Sequence, residues 1–284
     1  MADRQPTATG GWGRAVKFEE LPDRIGLLTL DAPEKKVNTL GRATLAELSS
    51  LVASLATRDD LMGMLVTSAK PGQFVAGADL NELAALASAD KQAVADVVRF
   101  GHTLFGAVAS LPFPVVALVD GACMGGGTEL ILSCDERLVS LAKHTSVGLP
   151  ETKIGLIPAW GGTQRLPRLV GLHYAIEMIT SGEAVDPAKA VAIGLAFDAV
   201  PPAALVDEGR RLLGILRDGD LWRRRRAERS GPIAVSTDKL ALPNAVSKGA
   251  VRGKKKGQYP TPPVELQSVH VRMERQVPLR RPHQ

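Results

Sequence analysis

Val115-Val116-Ala117-Leu118-Val119-Asp120-Gly121-Ala122-Cys123-Met124-Gly125-Gly126-Gly127-Thr128-Glu129-Leu130 is the stretch from which the fold of this chain can be read. Pro112-Phe113-Pro114 opens a run of five apolar residues, the length and composition of a buried strand. The triple glycine permits positive φ and close backbone approach, and Thr128 to Cys134 reads as a helix turning away from the strand end. A strand, a glycine-rich turn and a helix in that order leave amide N–H groups aimed at whatever occupies the turn.

The same alternation extends outward from this stretch. Upstream, Arg14 to Leu30 predicts two short antiparallel strands broken at Pro22-Asp23, and Leu45, Leu48, Leu51, Val52 and Leu55 fall on one face of a helix. Met62 to Ser68 predicts a buried strand, followed by helices over about 79–86 and 90–109. Downstream, short apolar pieces lie at Leu138-Val139 and Ser146-Val147. Helices are expected from Gly161, over 172–180, over 187–193 and over 202–216. The fold class is therefore α/β, with one mixed or parallel layered core and a helical C-terminal region. The expected divisions are a flexible N-terminus at 1–13, the core at 14–200, a helical region at 201–230 and a basic, proline-containing, partly irregular tail at 231–284.

The 284 residues, 45% hydrophobic and 23% charged, suffice for a substantial buried core. No apolar run reaches the length of a bilayer span, and Met1-Ala2-Asp3-Arg4-Gln5-Pro6 carries no apolar segment behind its charges, so the expected location is the cytoplasm. Net charge is +5, but it is unevenly placed. Residues 221–284 hold 15 Lys and Arg against 4 Asp and Glu, leaving the first 220 acidic at −6. The basic segment, with Arg223 to Arg226 and Lys254 to Lys256, offers only Trp222 and Tyr259 as aromatics, too few for a base-stacking platform. A solvated or partner-facing extension is expected there, and no nucleic-acid site. Cys123 and Cys134 have neither CxxC spacing nor a histidine at metal-ligand distance, which makes them reduced structural thiols and leaves no metal site.

Two glutamates 22 positions apart carry the chemical signal. Glu129 follows the triple glycine, and Glu151 stands in Gly148-Leu149-Pro150-Glu151-Thr152. Paired carboxylates can divide acid and base work over one water: one deprotonates it, while the other, kept protonated by apolar surroundings or by its neighbour's charge, delivers a proton to carbon. Phe74-Val75-Ala76-Gly77-Ala78-Asp79-Leu80 follows a strand and opens a helix, so the N–H of Ala78 is a candidate donor into a cleft, with the N–H of Gly126 as a second. Two such donors converging on a thioester carbonyl would form an oxyanion hole for an enolate.

These motifs, together with Gly148 to Leu169 (GLPETKIGLIPAWGGTQRLPRL), resemble the crotonase (enoyl-CoA hydratase/isomerase) superfamily over about residues 16–216. Within it the chain is most similar to the hydratase domain of the multifunctional fatty acid oxidation α-subunit, a likeness shared by Asn38-Thr39-Leu40 and Lys256 to Pro260. The resemblance implies a spiral of ββα turns and assembly with further copies or a thiolase subunit. It implies an acyl-CoA substrate and no cofactor beyond the CoA that the substrate carries. It maps the oxyanion donors onto Ala78 and Gly126, water activation onto Glu129 and protonation of C2 onto Glu151. Ala76, Gly77, Asp79, Gly125 and Trp160 are then expected to line the substrate and CoA site. The implied reaction is hydration of a trans-2-enoyl-CoA in fatty acid β-oxidation. The alternatives are Δ3,Δ2-enoyl-CoA isomerisation at the same site, or a catalytically silent CoA-binding or assembly module.

The family usually has Gly at the position of Ala159 and a small residue or Phe at that of Trp160, so Trp160 is expected to shorten or reshape the acyl pocket. No GxGxxG fingerprint follows, and the tail is read either as a shortened or frame-shifted linker to an absent dehydrogenase domain or as the divergent tail of a stand-alone hydratase. His102, His144, His173, Asp135 and Arg165 are assigned packing, capping or structural roles.

Overall fold

The computed structural model describes residues 14–33 and 35–233. The expectations for residues 1–13 and for the tail beyond 233, including Lys254 to Lys256, lie outside the described residues.

In chain order the elements are β1 (Val16–Leu21), β2 (Ile25–Leu30), α1 (Arg42–Leu55), β3 (Gly63–Ser68), β4 (Gln73–Val75), α2 (Leu80–Ala87) and α3 (Lys91–Ala109). Then come β5 (Val115–Val119), β6 (Ala122–Met124), α4 (Gly126–Ser133), β7 (Glu136–Ser140), β8 (Ser146–Gly148), α5 (Gly162–Ser181) and α6 (Pro187–Ala192). β9 (Asp198–Val200), α7 (Leu205–Arg217) and α8 (Leu221–Ser230) complete the series. The larger sheet runs β1-β2-β3-β5-β7-β9, antiparallel only at β1/β2, and the smaller one runs β4-β6-β8, all parallel. From β3 onward each turn of the chain lays one strand in each sheet and then adds helix, so the expected ββα spiral is the observed fold. At the larger sheet's centre β5 is apolar on both faces, and all five residues of β5 and of β7 are buried. Burial on both faces is what parallel strands covered by helices require.

Three strands of only three residues, β4, β6 and β9, were not resolvable as strands from the sequence, where the first two read as parts of turns. Their pairing comes from the spiral, which stacks successive turns. Helix α4 begins at Gly126, two residues before the expected start at Thr128, and all eight of its residues are buried.

The quadruple arginine lies in α8, where Arg223 and Arg224 are exposed, in keeping with the charge-based expectation of a solvated extension. Arg225 and Arg226, with Arg229, depart from it by gripping the acidic start of β7. Arg226 binds both oxygens of Asp135 at 2.6 and 2.7 Å and donates to the Leu111 and Phe113 carbonyls. Arg225 and Arg229 both pair with Glu136, as does the buried Arg137. Trp222 is buried, with Arg223 and Arg226 packed over its ring at 4.6 and 4.4 Å. Charge counting overlooked this because the compensating acids stand nearly 90 residues away in the sequence.

Asn38 holds the segment that leads to the site. Its buried amide accepts from Ala32 N–H and donates to the Leu30 carbonyl, the Ser68 hydroxyl and the Phe74 carbonyl. Its backbone carbonyl accepts from Ala76 N–H at 2.9 Å, and Leu40 N–H donates to Gly77. Replacing Asn38 with Leu keeps the branching of the side chain and deprives the Ala32 N–H and the Leu30, Ser68 and Phe74 oxygens of their hydrogen bonds to it. We expect a loss on the order of 3 kcal/mol, read as a lower urea midpoint at unchanged m-value.

Candidate active site

The start of α4 is tied to the end of β8. Gly125, at φ +54°, donates its N–H to the Gly148 carbonyl at 3.0 Å. The buried Thr128 hydroxyl contacts the carbonyls of Gly148 at 2.7 Å and Cys123 at 2.9 Å. The chain leaving Gly148 passes Leu149 into a 3-10 turn over Pro150–Ile154, with proline at its first position and Glu151 in its first turn. One crossing thus places both glutamates. Glu129 is one helical turn into α4, and Glu151 is three residues beyond the strand end.

Their surroundings differ. Glu129 is 2% exposed, and its Oε1 accepts the N–H of Trp160 at 2.8 Å and of Gly162 at 2.7 Å. Gly161 between them has φ +118°, a conformation that L side chains rarely adopt, and both neighbouring amides bind the same oxygen. Glu151 has a buried Oε2 with no hydrogen-bond partner among the described residues. Its other oxygen faces Gly125, where an added Cβ would lie 3.3 Å away.

The 76–78 segment runs beside the glycine turn: a Cβ on Gly125 would come within 3.8 Å of Gly77 Cα, and one on Gly77 within 3.4 Å of the Met124 carbonyl. The two expected donor loops are therefore adjacent. Gly126 opens α4, where amides have no intrahelical acceptor, and neither its N–H nor that of Ala78 is spent on a hydrogen bond among the described residues. Ala76 is exposed at the rim. Asp79 caps α2, accepting from Asn81 and Glu82 N–H, and pairs with Lys35 at 2.9 Å. Trp160 is 6% exposed, edge-on to Phe105 with ring centroids 5.7 Å apart. Its ring occupies the space that a Cβ on Gly101 or Gly126 would need.

Reading the sequence alone missed Gly101, Gly162 and the anchoring role of Asn38. An isolated glycine in mid-helix is a packing signal, and Gly101 is one: it makes room in α3 for the indole. The doublet at 161–162 was visible, but nothing in it indicates that its amides close on a glutamate 33 residues earlier. Two cavities of about 510 and 500 Å³ border α8, walled partly by Arg168, Arg229 and Leu169, and neither is lined by Glu129 or Glu151. Both cysteines are buried and unpaired, their thiols pushed up by burial. Among the described residues no group of three His, Cys, Asp or Glu could hold a metal ion, and no helix is long and apolar enough to cross a membrane.

Residues 20–220 match the family model of enoyl-CoA hydratase/isomerase. The chain belongs to that family. It is 42% identical over 184 residues to the fatty acid oxidation complex subunit alpha of Shewanella halifaxensis, a match that takes in 65% of the chain and 26% of that relative's length. The chain thus corresponds to about a quarter of that relative. Among solved structures, an enoyl-CoA hydratase from Bacillus anthracis superposes with a TM-score of 0.68 at 28% identity, covering 93% of this chain and 98% of that one. DspI of Pseudomonas aeruginosa gives 0.66 at 28% identity, covering 95% and 98%.

The electrostatics of the two glutamates follow from their burial. Desolvation raises both carboxyls above the ordinary range, and the charge of Glu151 raises Glu129 further. The pair ionises in the region of about 7 to about 8 instead of near the usual ~4.3. Around neutral pH it can therefore keep one proton. Glu129, raised to about 8, has two N–H donors that oppose the rise, and Glu151, raised to about 7, has one backbone donor that does the same beside its donorless Oε2.

The unfolded chain releases these protons at lower pH than the folded one, so this pair removes stability as pH rises through that interval. We expect the thermal midpoint to fall between about pH 5 and about pH 8 and to level off above that, and to fall less in Glu151→Gln, when melting is followed by circular dichroism across pH.

Proposed function

We propose that the chain hydrates trans-2-enoyl-CoA thioesters to 3-hydroxyacyl-CoA, as a step of fatty acid β-oxidation. The observation that carries this is the contrast between the glutamates, one clasped by two amides and one with a buried donorless oxygen, beside two unspent N–H groups. In this reading the thioester carbonyl accepts from Ala78 and Gly126 N–H. The positive end of α4 adds to the stabilisation of negative charge on that oxygen. Glu129 takes a proton from water as the water oxygen bonds to C3. The electrons of the double bond move onto the thioester as an enolate, and its collapse accepts the Glu151 proton at C2. The sum is one H and one OH added, and proton exchange between the carboxyls restores the starting state.

Ala76, Gly77 and Gly125 belong to the proposed rim and floor of the CoA and thioester site, and Asp79 contributes by fixing the start of α2. No cofactor is assigned beyond the CoA of the substrate. Homo-oligomerisation or a thiolase subunit as partner, and a cytoplasmic setting, form part of the same proposal, motivated by the α-subunit relative. Two carboxyls with opposed environments favour hydration over isomerisation, whose proton shuttle needs only one.

Glu129→Gln and Glu151→Gln should each lower kcat for crotonyl-CoA hydration by about a thousandfold at unchanged circular dichroism, followed by the loss of enoyl absorbance. Isomerisation surviving in Glu129→Gln would mark a dual enzyme. CoA binding by a wild type that hydrates neither crotonyl-CoA nor a longer enoyl-CoA would refute the proposal.

Trp160 fills the space beside Gly126 toward α3, and in this proposal the far end of the acyl chain abuts it. Trp160→Ala should raise kcat/KM for an eight-carbon enoyl-CoA relative to the four-carbon substrate by about tenfold or more. An unchanged chain-length profile would remove Trp160 from the acyl wall.

A further inference from the structure

We propose that Arg165 is a positioning residue for Glu129, holding from outside the loop whose amides clasp that carboxylate. The inference rests on the hydratase reading above only for its kinetic readout. Residues 160–162 are pinned on both sides. On the inner side, Trp160 and Gly162 N–H bind Glu129 Oε1. On the outer side, Arg165 Nη1 donates to the Trp160 carbonyl at 2.9 Å, and Arg165 N–H donates to the Gly161 carbonyl at 2.8 Å. The guanidinium lies so close over Gly161 that a Cβ there would be 2.1 Å from Nη1. The arginine thus fills the place that a side chain at 161 would take, and the loop is clamped between a cation and a carboxylate.

Charge acts in the same direction as geometry. The neighbouring arginines each have a carboxylate partner, Arg226 in Asp135, and Arg137, Arg225 and Arg229 in Glu136. Arg168 donates to the Gln164 carbonyl. Arg165 has no carboxylate in ion-pair contact among the described residues; its side-chain hydrogen bond goes to a carbonyl. Burial pulls its guanidinium below the usual value, and the charge that most offsets this is Glu129, ahead of the Cys134 thiol. Reciprocally, the groups acting on Glu129 are Glu151, which opposes its ionisation, and the two loop amides and Arg165, which favour it. Arg165 therefore does two things for one carboxylate: it fixes the two amides, and it supplies positive charge beyond them. Removing the charge should move Glu129's ionisation upward. Keeping the charge without the fork geometry should leave the ionisation in place but loosen the loop.

The test compares wild type, Arg165→Met and Arg165→Lys by crotonyl-CoA hydration across pH and by carboxyl resonances of 13C-labelled glutamate. Glu129 is assigned as the resonance lost in Glu129→Gln. For Arg165→Met, kcat should fall by about tenfold or more with KM nearly unchanged, since misplacing a reacting group costs rate before binding. Its acidic limb and the Glu129 resonance should titrate about half a pH unit or more higher. Arg165→Lys should keep the titration position while losing part of kcat. A merely structural arginine would lower the folded fraction without moving either titration, and superimposable titrations in wild type and Arg165→Met overturn the inference. If Arg165→Met does not fold, Arg165→Lys decides: kcat lowered at constant KM supports the positioning role, and wild-type kcat refutes it. If the wild type hydrates nothing, the hydratase reading falls, and the Glu129 resonance alone judges Arg165.

Discussion

The Gly148 carbonyl accepts two hydrogen bonds, from the Gly125 amide and the Thr128 hydroxyl, and the rest of the site depends on that double attachment. It joins the first turn of a buried helix to the last residue of a strand in the next turn of the spiral. On one side of the join stand Gly126 and Glu129, and on the other Glu151. Without it, the two carboxyls would belong to independently placed loops, and 22 residues of chain would separate them in space as they do in sequence. The parallel pairing of β6 with β8 brings the two ends together. The threonine then fixes them to a side-chain length, through a group that is itself fully buried.

The architecture was legible where apolar periodicity is strong. The β5 run, the amphipathic face of α1 and the strand before Lys70 could each be read from local pattern, because burial on a sheet or a helix face imposes a period that side chains must obey. The three-residue strands β4, β6 and β9 were not, since three residues carry no period and owe their conformation to partners on neighbouring turns. At the site, the chemical types Glu129, Glu151, Ala78 and Gly126 were readable because their local motifs, glycine turn and helix start, prescribe backbone shape. What holds them was not. Asn38, Gly101 and Arg165 act across 30 to 60 residues of sequence, and nothing in a local window shows that an asparagine amide will find Phe74 or that a helix glycine faces an indole.

The arginine-rich helix gives the opposite lesson. Local composition there suggested a cationic surface, yet Arg225, Arg226 and Arg229 of α8 reach carboxylates and carbonyls at the edge of β7 and before β5. The acids Asp135 and Glu136 are almost fully buried, and such groups persist in an interior only with charge and hydrogen bonds around them. The helix after the core is thus a lid for two buried acids at the strand start, placed where α4 ends. Its basicity answers a demand made by the core.

Trp160 divides its two parts between two tasks: its main-chain N–H holds Glu129, and its indole packs against Gly126 and Gly101. A side chain can be exchanged without removing the amide that precedes it. In the proposed hydratase reading, the position is therefore one where the shape of the acyl chamber can drift under selection while Glu129 keeps its partner. A lineage could retune what it accepts at this point without rebuilding the machinery that acts on it, and the glycine in α3 opposite marks how much room such drift has to use.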